Sequence, residues 1–118
     1  METAPEGRST LILVTHEGMG QTDPPLQRKL FRTYLTLLLE NDTLPGAIAF
    51  YADGVKLVVK GSPVIDILRS FEAQGVHLIV CQTCLNHFGL TERVGVGIVG
   101  GMGDIIAAQW KAAKVITI

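Results

Sequence analysis

Short apolar runs alternate along this chain with longer segments that carry helical periodicity. "TLILV" (10–14), "AIAFY" (47–51), "GVHLIV" ending at Val80 and the closing "KVITI" are the runs. All four read as strands, and the β-rich "TLILV" suits one buried on both faces. Strands that alternate with amphipathic helices imply right-handed βαβ crossovers and a parallel sheet with helices on each side. Ile98–Val99, inside "GVGIVGGMG", reads as one more short strand. The expectation is a three-layer α/β/α sandwich with a mostly parallel sheet of about five strands. A chain of 118 residues is near the usual domain size, so one domain over 1–118 is expected, with 1–8 as a loose polar lead-in.

The helices can be placed from their ends. Thr22 or Asp23 caps a helix whose first positions accept Pro24 and Pro25, because a proline there loses no intrahelical hydrogen bond. Leu26, Leu30, Tyr34 and Leu37/Leu38 give it one core-facing stripe. "ADG" before "VKLVV" has the residues of a hairpin turn. A strand followed by a loop is the better reading, since Ser62 and Pro63 soon open a helix with Val64, Ile67/Leu68 and Phe71 on one face, closed by Gly75. A last helix is expected from about Asp104 to Ala113.

Composition narrows the function classes. The formal net charge is −1 and no Lys/Arg block occurs, which leaves no electrostatic footprint for nucleic acid or a membrane surface. The amino terminus is acidic where a signal peptide is basic, and no run approaches the roughly 20 apolar residues that cross a bilayer. The chain therefore reads as cytoplasmic. In a reducing compartment, Cys81 and Cys84, three apart, point to catalysis or metal binding before a structural disulfide.

In an open α/β sheet, chemistry gathers beyond the carboxyl ends of the strands. Three loops belong there: His16 to Asp23, Ala52 to Ser62, and Cys81 to Gly89. Cys81 stands between a strand end and a helix start, where the first-turn amides of Gln82, Thr83 and Cys84 favour thiolate over thiol. Cys84, three residues on, is placed to attack sulfur carried on Cys81. His16, Glu17 and Asp23 from the first loop, and Tyr51, Asp53 and Lys56 from the second, are further candidates, with Lys56 able to hold a thiolate or an anionic group of a partner. Solvated loop residues are the plainer reading of each.

Other readings of the same letters are weaker. A thioredoxin-like motif follows the first βα strand and faces a later cis-proline, whereas every proline here precedes Cys81. Cys81, Cys84 and His87 offer three zinc ligands with His77 or His16 as a fourth, but zinc clasps usually draw on two separated knuckles. Gly95, Gly97 and Gly100 spell G-x-G-x-x-G without the first-strand context of a dinucleotide site. Those glycines, with Gly101, instead bring backbone close to the cysteine pocket and turn the chain into the last helix. No metal or cofactor is expected.

With these motifs in place, the chain resembles the DsrE/DsrF-like family, and most closely the C-terminal domain of YedF-type sulfurtransferase-like selenium metabolism proteins. The resemblance runs from about Thr10 to Ile118 and rests on "GVKL" with "GS", "GVHLIVCQTCL", "VGVGIVGGMGDI" and "AAKVITI". It implies a three-layer α/β/α domain, a sulfur relay that holds sulfane sulfur as a cysteine persulfide, and a homo-oligomer, trimer or hexamer. By position the relay cysteine is Cys81, and Cys84 matches a second cysteine found in some branches. YedF-type proteins carry a TusA-like domain ahead of this one, so the resemblance implies either a separate TusA-like carrier as partner or work in another context. The resulting expectation is a sulfurtransferase-like relay through Cys81. Its rivals are an oligomeric binding subunit without catalysis and a dithiol redox or zinc-binding protein. The relay demands that Cys81 not face a sealed core.

Overall fold

The computed structural model describes residues 8–118; most of the polar lead-in lies outside the described residues. The strands are β1 (Thr10–Val14), β2 (Ala47–Phe50), β3 (His77–Cys81), β4 (Ile98–Gly100) and β5 (Lys114–Thr117). They form one sheet in the order β4-β3-β2-β1-β5, with every pair parallel. The helices are α1 (Pro24–Glu40), α2 (Ile65–Ala73), α3 (Gln82–Phe88) and α4 (Met102–Lys111). Right-handed crossovers from β1 through β4 step in one direction and place α1 to α3 on one face; the return from β4 to β5 places α4 on the other. The α/β/α layering expected from the alternation is therefore present.

Register assigns the core. Ile12, Ile48 and Leu78 form one row across the sheet, and Val14, Phe50 and Val80 another on the same face. They meet Phe31, Leu35, Leu68 and Phe71 of α1 and α2, all fully buried. Leu11, Leu13, Ala49 and Ile79 point to the opposite face, where Ile105 of α4 is buried. Burying a large apolar side chain fully is worth about 1.5–3 kcal/mol, so these rows supply most of the drive to fold.

Three expectations are corrected. The inward stripe of α1 is Gln27, Phe31 and Leu35; of the expected stripe Tyr34 and Leu38 pack against the core, whereas Leu26, Leu30 and Leu37 are 41%, 41% and 50% exposed. The helix carries two adjacent apolar stripes, and the one with Phe31 wins because the larger side chain fills the core. Gln27 is tolerated inside because its side-chain amide donates to the Gly20 carbonyl at 2.7 Å. Asp23 is the cap, accepting from Leu26 N–H at 3.3 Å.

Ala52–Leu57 is neither hairpin nor loop but a 3₁₀ helix. The positive φ is at Ala52 (51°), not at the Asp53–Gly54 pair. Gly54 is needed for close approach: a Cβ there would lie 2.1 Å from the Val14 carbonyl oxygen. The following segment is tied down by Lys60 N–H to Arg93 O at 2.7 Å and Gly95 N–H to Val58 O at 2.8 Å. Finally, α4 begins at Met102, two residues before Asp104, because the Asp104 carboxylate reaches back to accept from Gly101 N–H at 2.8 Å.

Candidate functional site at the carboxyl edge of the sheet

β1, β2 and β3 are neighbours, so the segments that leave their carboxyl ends are neighbours too. Cys81 is both the last residue of β3 and the N-cap of α3. Its sulfur makes no capping bond to the first-turn amides, and it is only 1% exposed. This departs from the expected stabilisation by Gln82, Thr83 and Cys84 N–H groups: the side chain turns toward Cys84 instead of over the short helix end. Cys84, half-buried one turn on, donates its thiol hydrogen to Cys81 Sγ at 3.2 Å. The two are free thiols.

Cys84 also accepts the N–H of Ala52 at 3.1 Å. Ala52 is thus the residue that sequence reading missed, and it holds a left-handed φ that costs an alanine about 1–2 kcal/mol. Strain of this kind persists only where surrounding structure holds it, here the tight approach of Gly54 to β1. Desolvation, and then the bond to Cys81, raise the Cys84 pKa above the ordinary cysteine value, with the Ala52 N–H opposing them. Cys84 is therefore protonated at neutral pH. Cys81 Sγ is the acceptor of its hydrogen bond.

The other candidates separate into those the fold brings near and those it does not. Asp53 pairs with Lys56 at 2.9 Å, and Lys56 Nζ lies 4.5 Å from the centroid of the Phe88 ring. Lys56 thereby clamps the 3₁₀ helix to the end of α3; Phe88 was not anticipated, and no spacing signal marks it. Gln82 donates to Asn86 at 2.8 Å along α3, while Thr83 and His87 are exposed and His87 stands edge-on to Phe88. Gly100 is the register partner of Cys81 in β4, and a Cβ on it would meet Asp104 Oδ2 at 2.8 Å. Gly101 caps α4. His16 bridges Gly18 within its own loop.

His77 begins β3 while Cys81 ends it, four residues and roughly 13 Å along a strand. It lines a cavity of about 530 Å³ at the opposite, amino-terminal edge, away from the cysteines. Among the described residues no three of His, Cys, Asp and Glu come together as a metal would require. The zinc set of Cys81, Cys84, His87 and His77 is accordingly not assembled. No helix among the described residues is long and apolar enough to cross a membrane.

An all-parallel sheet wrapped by helices, with two free thiols at the carboxyl end of an inner strand, defines an α/β protein of the three-layer class. A sequence model of the DsrE/DsrF-like family matches residues 11–118, and the chain belongs to that family. The ychN protein of E. coli has a similar solved structure, with a TM-score of 0.69 at 19% identity, covering 92% of this chain and 98% of that one. A protein of unknown function from Methanobacterium thermoautotrophicum is similar at TM-score 0.69 and 18% identity, covering 92% of this chain and 97% of the other. One from Bacteroides thetaiotaomicron reaches TM-score 0.66 at 18% identity over 98% of this chain and all (100%) of the other. At these identities the likeness is one of fold. No curated protein matches the sequence.

Proposed function

We propose that this single DsrE-like domain is a sulfur-relay protein that carries sulfane sulfur as a persulfide on Cys81 and passes it to an acceptor thiol. The observation that carries the reading is the thiol pair at 3.2 Å, with a backbone N–H of a strained residue aimed at its outer member. A merely structural pair of buried cysteines has no need of either.

The Cys81 thiolate attacks the terminal sulfur of a donor persulfide; the new S–S bond forms as the donor's own S–S bond breaks. The departing thiolate takes a proton from solvent, giving Cys81–S–SH and the donor thiol, while Cys84 stays protonated. An acceptor thiolate then attacks the terminal sulfur and releases Cys81. No net oxidation occurs. Cys81 is 1% exposed and belongs to the buried core cluster, contrary to the demand that it not face a sealed core, so on this reading the side chains over it, Cys84 among them, must move to admit the donor. In the absence of an acceptor, Cys84 can lose its proton and attack Cys81 Sγ, expelling the outer sulfur as hydrosulfide and closing a disulfide, which a dithiol reductant must then reduce to restore the two thiols.

A homo-oligomer, trimer or hexamer, and a TusA-like carrier in the cytoplasm complete the proposal. Exposed apolar residues support assembly: Ile98 (59% exposed) on the β4 edge, and Met102 (50%), Ile106 (47%) and Trp110 (86%) on α4.

The test is intact-protein mass spectrometry after incubation with a sulfane-sulfur donor. A gain of one sulfur mass on the native chain and on Cys84→Ser, absent from Cys81→Ser, is the expected pattern. No gain on any form sinks the relay, and a gain lost only in Cys84→Ser moves the carrier to the outer thiol.

A further inference from the structure

A second cavity, of about 300 Å³, opens on the same carboxyl edge as the thiols. Its walls come from the β1–α1 loop, the second turn of α1, the end of the 3₁₀ helix and the segment leading to α2. Three cations, Arg28, Lys56 and Lys60, face one carboxylate, Glu17, around it. Glu17 is engaged with Arg28 at 3.4 Å, and Asp53 with Lys56 at 2.9 Å. Among the described residues Lys60 has no ion-pair partner. The wall that carries Lys60 is held in place by its own backbone bond to Arg93 and the Val58–Gly95 bond, so the charge is presented from an ordered segment.

Lys56 connects this cavity to the thiols. It lines the cavity and at the same time lies over Phe88, one turn beyond Cys84 on α3, about 6 Å along the helix axis. An anionic group seated among these cations would leave a short flexible molecule able to reach the sulfur with its other end. A volume of about 300 Å³ is at the lower end of small-molecule sites and larger than a lone oxyanion needs.

On the basis of the relay reading above, we infer that this cavity binds the carboxylates of a small organic persulfide donor and delivers its sulfur to the cysteine pair. Glutathione persulfide has the right chemistry: two carboxylates, and a sulfur several bonds away from either. Lys60 and Arg28 hold the charge, and Lys56 orients the chain toward α3.

The test separates the cavity from the relay by using a ligand that cannot react. S-methylglutathione has the carboxylates but neither a thiol nor a transferable sulfur, and its binding is measured by calorimetry at low ionic strength. Binding is expected to persist in Cys81→Ser and to weaken at least about tenfold in Lys60→Gln, because a charge-assisted hydrogen bond is worth about 1.5–3 kcal/mol. Lys60→Arg is expected to restore it, with unchanged melting temperatures confirming intact folds. In parallel, glutathione persulfide is expected to load Lys60→Gln more slowly at limiting donor, with the deficit vanishing at saturation. Absence of S-methylglutathione binding while the native chain still gains sulfur would overturn the cavity assignment and leave the relay standing. Binding unaffected by Lys60→Gln, or sulfate competing as tightly as the peptide binds, would also overturn it. Normal binding with no sulfur gained on any form would retain the carboxylate site and remove the relay.

Discussion

Substituting Gly54 by alanine joins the packing of the fold to the chemistry of the site. The new Cβ would lie 2.1 Å from the Val14 carbonyl oxygen and 2.8 Å from its carbon, both backbone atoms of a central strand. Nonbonded heavy atoms settle at roughly 3.5–4.0 Å, so the 3₁₀ helix must retreat by more than about 1 Å. That retreat stretches the Tyr51 N–H bond to Val14 O, now 3.1 Å, and withdraws the fully buried Val55 and Leu57. Overpacking costs about 1–3 kcal/mol and a lost hydrogen bond about 1 kcal/mol, giving a loss near 3 kcal/mol. For a chain of this size that lowers Tm by about 12 °C, at roughly 4 °C per kcal/mol. Retreat also pulls the Ala52 N–H from Cys84, so the outer thiol titrates at still higher pH than in the native chain. Thermal unfolding followed by circular dichroism, with thiol alkylation rates against pH, reads both effects. Gly103→Ala, in open space inside α4, is the control and should raise Tm by about 4 °C from helix propensity. A Gly54→Ala protein melting within a few degrees of the native one, with unchanged Cys84 reactivity, would refute the close-approach reasoning.

The remaining predictions are narrower. Because the folded Cys84 pKa lies above the ordinary value, its protonated form stabilises the fold; that contribution is complete below about pH 8.5 and is lost as pH rises through the folded pKa. Urea midpoints of the native chain should therefore fall more steeply above that pH than those of Cys84→Ala, and parallel curves would contradict the assignment. Gly100→Ala should displace the Asp104 side chain from Gly101 N–H and cost about 1 kcal/mol, measured by chemical denaturation, while a substitution at open Gly101 leaves no comparable clash. Phe31→Ala removes the largest inward side chain of α1 and should cost about 3–5 kcal/mol, against less than about 1 kcal/mol for Leu30→Ala; equal losses would restore the stripe containing Leu30 to the core.

What the sequence determined was the order of elements and the edge on which the chemistry sits. The apolar runs at 10–14, 47–51 and 76–80 became inner strands while "KVITI" became the exposed edge strand β5, the capped amphipathic segments covered the sheet, and right-handed crossovers left the cysteines at the carboxyl edge. These are local or chirality rules, and one chain suffices to apply them. Tertiary structure alone decided what depends on contacts between distant segments. It chose which of two apolar stripes of α1 turns inward, because core volume, not periodicity, separates Phe31 from Leu30. It wound Ala52–Leu57 into a 3₁₀ helix, since the carbonyl of Val14, 40 residues earlier than Gly54, sets how close that backbone may come. And it buried Cys81 beneath Cys84, aimed the Ala52 N–H at the outer sulfur and carried His77 to the far end of β3: spacing puts two thiols on one helix turn, but only packing against the neighbouring segment says which of them meets the solvent.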